Sequence, residues 1–134
     1  MIKPKVYKRE NDVKKEIRTL LTKHKWFHFA VPAGGFSQSG ISDRLALKAG
    51  TLLAIEAKFG SNKPSTLQRA FLETINAEGG LGFVVNEKNI DQLVHWLELF
   101  DQSVDAVSKG EKVDDNAGAS MLNALRDLTV GIVT

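Results

Sequence analysis

The chain has no cysteine, which excludes a disulfide framework and any thiolate metal site. Its three histidines, His24, His28 and His95, have no spacing typical of a zinc site. No apolar run approaches the ~20 residues of a membrane span, so no membrane partner is expected. The start, Met1-Ile2-Lys3-Pro4-Lys5, is basic but no apolar stretch follows, so no secretory signal is visible. These absences together lead us to expect a cytoplasmic protein. The glycine-rich stretch from Gly34 to Gly40 lacks the Lys-Ser/Thr ending of a phosphate-binding loop, which argues against nucleotide binding.

What is present suffices for one domain. At 134 residues and 43% apolar, the chain can build a single core. The net charge of +2 is small but unevenly placed. Residues 1–25 hold nine Lys or Arg against three acids. Such a segment either attracts a polyanion such as DNA or forms a solvated helix face.

Val13, Ile17, Leu20 and Leu21 have helical spacing, which predicts a helix over 11–25 capped by Asn11 or Asp12. Trp26 to Val31 has strand length and is stopped by Pro32. Asp43 to Lys48 and Thr51 to Lys58 read as two strands joined at Ala49-Gly50. Pro64 and Ser65 mark a second helix, with Leu67, Phe71, Leu72 and Ile75 as its apolar stripe and Gly79-Gly80 as its end. Leu81 to Val85 reads as a buried strand. Ile90, Leu93, Val94 and Leu97 predict a third helix. Residues 101–116 read as a polar linker or short helix, Met121 to Leu128 as a last short helix, and Val130 to Val133 as an apolar tail. The order α-β-β-β-α-β-α implies an α/β fold, a small mixed sheet with helices on both faces.

The chemistry concentrates at Asp43, Glu56 and Lys58. Alternation along a strand puts Glu56 and Lys58 on one face, about 7 Å apart by strand rise. Glu56 follows the apolar run Leu52-Leu53-Ala54-Ile55, where an unpaired buried carboxylate is costly. It needs Lys58, a metal, or both. One reading is a Glu56–Lys58 surface pair at the sheet edge. The other is a metal-dependent nuclease, in which Asp43, Glu56 and the Ala57 backbone carbonyl bind Mg²⁺ or Mn²⁺ and Lys58 orients the nucleophile or meets charge on the phosphate.

Asp43, twelve residues, then Glu56-Ala57-Lys58 resembles the PD-(D/E)XK nuclease signature. More narrowly, the chain resembles the VRR-NUC family, especially its small stand-alone phage members. The resemblance covers roughly residues 10–100. It runs through Gly40-Ile41-Ser42-Asp43, Ile55-Glu56-Ala57-Lys58, Ser65-Thr66-Leu67-Gln68, and Gly79-Gly80 leading into Phe83-Val84-Val85. Ser42 stands where the signature usually has proline, a residue that shapes a turn and binds no metal.

The resemblance implies a restriction-endonuclease-like αβββαβα core in one domain spanning 1–134. Residues 101–134 would form a C-terminal extension, with dimerisation through its apolar tail as one use. It implies a Mg²⁺- or Mn²⁺-dependent DNA endonuclease acting as a homodimer on branched DNA such as Holliday junctions. The alternatives are a duplex-nicking or restriction-like nuclease, or a non-catalytic DNA-binding module. It adds Glu16 on the first helix as an acid near the metal, with Glu10 as its rival. It also adds Gln68 as a residue packed against the lysine and the phosphate or water. Ser65-Thr66-Leu67-Gln68 is equally a capping-box pattern, so Gln68 has a second role open to it. Apart from the resemblance, Lys14, Lys15, Arg18, Lys63, Arg69, Arg44 and Lys48 are either DNA-backbone contacts or solvated side chains, and Ser37, Gln38 and Ser39 are candidate phosphate donors.

Overall fold

The computed structural model of the protein describes residues 5–31 and 43–110. Its elements are α1 (Glu10–Lys23), β1 (Phe27–Ala30), β2 (Arg44–Lys48), β3 (Thr51–Ala57), α2 (Thr66–Ala77), β4 (Leu81–Val85) and α3 (Ile90–Ser108). The fold is thus α/β, with the αβββαβα order and small mixed sheet that the sequence predicts. The short helix and apolar tail expected beyond Gly110 lie outside the described residues, as do Gly40, Ile41 and Ser42.

The four strands form one sheet in the order β1-β2-β3-β4. β1 and β2 run antiparallel, as do β2 and β3, while β3 and β4 are parallel. Ala49 and Gly50 both adopt positive φ, 49° and 78°. Those angles suit the tight two-residue turn whose twist matches that of paired strands. The β3–β4 crossover carries α2. Its end is closed by Gly80 N–H donating to Ile75 O at 2.9 Å, with Gly79 at φ 96°.

Helices cover both faces. Phe83 packs edge-on against Trp96 of α3, and Trp26 contacts both Trp96 and Phe100. Val13, Ile17 and Leu21 of α1 are buried in the same core. The opposite face carries α2, which approaches β4 closely: a Cβ on Gly82 would lie 2.8 Å from the Leu72 carbonyl oxygen. β3 is therefore enclosed on both sides, and Leu53 through Ala57 are all buried.

Three local expectations change. Arg9, not Asn11 or Asp12, is the N-cap of α1, and Asp12 caps from the first turn, accepting from Lys8 N–H at 2.8 Å and Arg9 N–H at 3.2 Å. Leu67 leaves the apolar stripe of α2 and is exposed. From Asp101 to Ser108 the stretch read as a polar linker or short helix is neither a linker nor a separate helix, because α3 continues through it; residues 111–116 lie outside the described residues. Val104, four residues beyond Phe100, extends the helical stripe and packs on the core.

Candidate active site

Continuing the β2–β3 register one step beyond the Arg44–Ile55 pair brings Asp43 opposite Glu56. Directly opposed residues of an antiparallel pair are neighbours, so the hairpin sets Asp43 beside Glu56. The Asp43 N–H donates to Glu56 Oε2 at 3.2 Å, and the Ala57 N–H donates to Asp43 Oδ2 at 2.7 Å. Asp43 is itself anchored to β1, where Val31 N–H donates to its carbonyl at 2.9 Å.

Glu56 is only 1% exposed, the one charged side chain buried in the core among the described residues. Lys58 Nζ lies 3.4 Å from Glu56 Oε1, and Gln68 Nε2 donates to the same oxygen at 2.9 Å. This burial rules out a surface ion pair. Removal from water and the neighbouring Asp43 charge raise the Glu56 carboxyl to about 7, against the pull of Lys58 and the Asp43 amide. At neutral pH Glu56 stands near its midpoint, its charge favoured by Lys58, the Asp43 amide and the Gln68 amide against burial.

Gln68 takes the capping role and also reaches Glu56. Its Oε1 accepts from Ser65 N–H at 2.9 Å while Ser65 Oγ accepts from Gln68 N–H at 3.1 Å, which completes the capping box. The amide nitrogen remains free to hold Glu56. One carboxamide thereby joins the start of α2 to the end of β3.

The first helix contributes differently from expectation. Glu16 pairs with Lys5 and does not join Asp43 and Glu56. Lys14 does: its Nζ lies 3.6 Å from Asp43 Oδ1 and 3.4 Å from Glu10 Oε2. Burial pulls the Lys14 ammonium down, but Asp43 and Glu10 outweigh it and hold it above the usual lysine value. Residue 16 is two positions past residue 14, about 200° around the helix, so the two side chains leave α1 on nearly opposite sides. The i,i+4 spacing of Glu10 and Lys14 was the signal available in the sequence.

Lys14, Ala30, Asp43, Arg44, Ile55 and Ala57 line a cleft of about 180 Å³ between α1 and the sheet, together with Ile17 and Val31. Asp43 belongs both to this cleft and to the carboxylate pair. Beside it, Arg44 Nη1 donates to His28 Nδ1 at 2.8 Å, and His28 Nε2 lies 2.8 Å from Thr22 Oγ1. A guanidinium only donates, so Nδ1 is the acceptor and Nε2 carries the proton. Burial, then Arg44 and Arg18, hold the His28 imidazole below its ordinary value.

The other candidate contacts are spread out. Lys15 and Arg18 are exposed on α1, and Lys63 is exposed in the loop after β3. Arg69, on α2, has its Nε buried without a hydrogen-bond partner. Lys48 is turned to another task, bonding Asp101 Oδ1 and the His24 carbonyl, each at 2.6 Å, at the far end of the sheet. Ser37, Gln38 and Ser39 lie outside the described residues.

The donor set fits a hard divalent cation. Among the described residues no group of three Asp, Glu or His side chains gathers. Asp43 and Glu56 would offer carboxylate oxygens, the hard donors that Mg²⁺ takes alongside water. Among the described residues no helix is long and apolar enough to cross a membrane.

No protein-family model matches the sequence, and no curated protein does. The VRR-NUC resemblance therefore rests on the residues quoted for it. Among solved structures, the chain is similar to Hjc, a Holliday junction resolvase from the archaeal hyperthermophile Archaeoglobus fulgidus. The sequences are 22% identical over 57% of this chain and 66% of that one, with a TM-score of 0.46. The match thus spans just under two thirds of the resolvase.

Proposed function

We propose that the chain is a metal-dependent DNA endonuclease of PD-(D/E)XK type, hydrolysing phosphodiesters in branched DNA such as Holliday junctions and working as a homodimer. The observation that carries the chemistry is the buried Glu56 carboxyl, opposed to Asp43 and touched by both Lys58 and Gln68. A core position occupied by an acid, with a second acid beside it, costs stability and serves no packing purpose. Such expense is typical of sites that bind a cation or move a proton. The preference for branched DNA and the dimer are drawn from the VRR-NUC resemblance.

Asp43, Glu56 and the Ala57 carbonyl would hold Mg²⁺ or Mn²⁺, which when bound polarises the scissile phosphate and activates water. Gln68 fixes the Glu56 carboxylate from one side, so that it does not turn away when ionised. Lys58 favours the charged form of Glu56 and offers a compact ammonium to the phosphate or the nucleophile. Lys14 sets the orientation of Asp43 from α1. One site of this kind cuts one strand, and symmetric cleavage of a junction takes a second copy.

The test compares a labelled four-way junction with linear duplexes of the same sequences. Mg²⁺, Mn²⁺ and EDTA are run in parallel, with the solution mass of the protein measured alongside. Junction cleavage requiring the metal and abolished in Asp43→Ala and Glu56→Ala is expected. Cleavage that persists in EDTA, or an Asp43→Ala variant as active as wild type, would falsify the metal-nuclease reading. Equal cutting of the linear duplex would replace junction selectivity with nicking of ordinary DNA.

A further inference from the structure

Lys14, Arg18 and Thr22 follow one another at i,i+4 spacing, one stripe along α1. The first lies over Asp43 and the last over His28. Arg18 stands between them, exposed. Facing the stripe is Arg44, the residue after Asp43, which lines the cleft and is tied to His28. The hydrogen-bond partner of Arg44 is thus a neutral imidazole. Of the charges near it, Arg18 repels and Asp43 attracts. Arg44 held against an imidazole, with Arg18 on the facing stripe and Asp43 the carboxylate among the described residues that attracts it, itself shared with Lys14, is short of an anion.

We propose that Arg44 and Arg18 form a phosphate-binding site beside the carboxylate pair, taking a DNA backbone phosphate next to the one being cleaved, with His28 as the residue that positions Arg44. The inference rests on the nuclease reading and deepens it by naming where the strand runs. A planar guanidinium suits this task because its fork matches phosphate oxygens two at a time. His28 accepts one Arg44 N–H and leaves the other side of the fork for the ligand. The strand then passes along the α1 stripe, over Arg18, and enters the cleft at Lys14 and Asp43. Phosphate contacts of this kind fix register and carry no sequence preference.

The experiment measures binding of a fluorescein-labelled four-way junction in EDTA, by anisotropy, over a salt series. Each phosphate contact removed lowers the slope of log K against log salt by about one. Arg44→Gln and Arg18→Gln are each expected to do so, and the double variant to lower it by about two. Arg18 is exposed, so its variant folds whatever becomes of Arg44→Gln, and thermal unfolding checks both. Lys109→Gln, at the far end of α3, serves as the control for net charge and should leave the slope unchanged. His28→Leu should weaken binding, while His28→Gln, which keeps an acceptor for Arg44 and a donor for Thr22, should restore it. Slopes unchanged in both arginine variants of a wild type that binds and cleaves would overturn this inference alone, as would an equal drop in Lys109→Gln. Equal binding by His28→Leu and wild type would remove the positioning role of His28. A wild type that binds neither junction nor duplex would overturn the nuclease reading as well.

Discussion

Replacing Glu56 by Gln should change how stability depends on pH, by an amount the site itself sets. The folded protein holds the Glu56 proton to about 7, whereas the unfolded chain releases it near the ordinary value of 4.5. Between those values the folded state binds more protons than the unfolded state, so stability falls as pH rises. The loss begins near pH 4.5 and is complete above pH 7. Two and a half units at ~1.4 kcal/mol each give roughly 3 kcal/mol. Glu56→Gln removes this contribution because a carboxamide does not titrate. Whatever offset the substitution brings at low pH, the difference between variant and wild type should move by roughly 3 kcal/mol in the variant's favour from pH 4 to pH 8. Urea unfolding in EDTA would read this as a relative midpoint shift of more than about 1 M. Added Mg²⁺ should stabilise wild type at pH 8 and leave Glu56→Gln unmoved, since a ligand that binds only the native state raises its stability. Parallel pH curves for the two proteins would refute the account of Glu56 as a buried, costly acid.

Two further substitutions test the supports of the site. Gln68→Ala removes the acceptor for Ser65 N–H and the donor to Glu56 together, and should cost about 1–2 kcal/mol in urea unfolding. Gln68→Glu should keep the cap but set a third carboxyl against the pair, so a smaller stability loss with a larger loss of Mg²⁺-induced stabilisation is expected. An equal response to both would show that Gln68 serves the helix alone. Gly82→Ala pushes a methyl into the Leu72 backbone, and should lower stability by about 1–3 kcal/mol. A neutral result by thermal unfolding would mean that α2 does not press on β4 as closely as described.

Much of this architecture was legible because its signals are local. Val13, Ile17, Leu20 and Leu21 mark α1 by period, and Ala49-Gly50 marks the hairpin by turn chemistry. Asp43 and Glu56 are joined in the sequence by the nuclease signature, and the hairpin register shows why they meet. What escaped was set by tertiary contact. A periodicity cannot say which side of α1 meets Asp43; the resemblance points to Glu16 with Glu10 as its rival, and the contact is made by Lys14, paired with Glu10. The continuation of α3 hung on one residue, Val104, set among charged neighbours that read as a linker. The tie between His28 and Arg44 joins two strands sixteen residues apart and leaves no trace in spacing.

The Ala49-Gly50 turn also has a meaning for the distance in sequence between the two acids. The hairpin is symmetrical about that turn, with Lys48 facing Thr51 and Arg44 facing Ile55. Counting outward from it, Asp43 and Glu56 are the same number of steps away. A single residue added to or lost from one arm would slide the pairing by one and send one acid to the opposite side of the sheet. Adding one residue to each arm would keep the arms in step but turn both acids over together. Adding two to each would keep both the match and the face. The spacing between the acids is thus a rule of parity, and its tolerance can be mapped by insertion as strictly as that of any side chain.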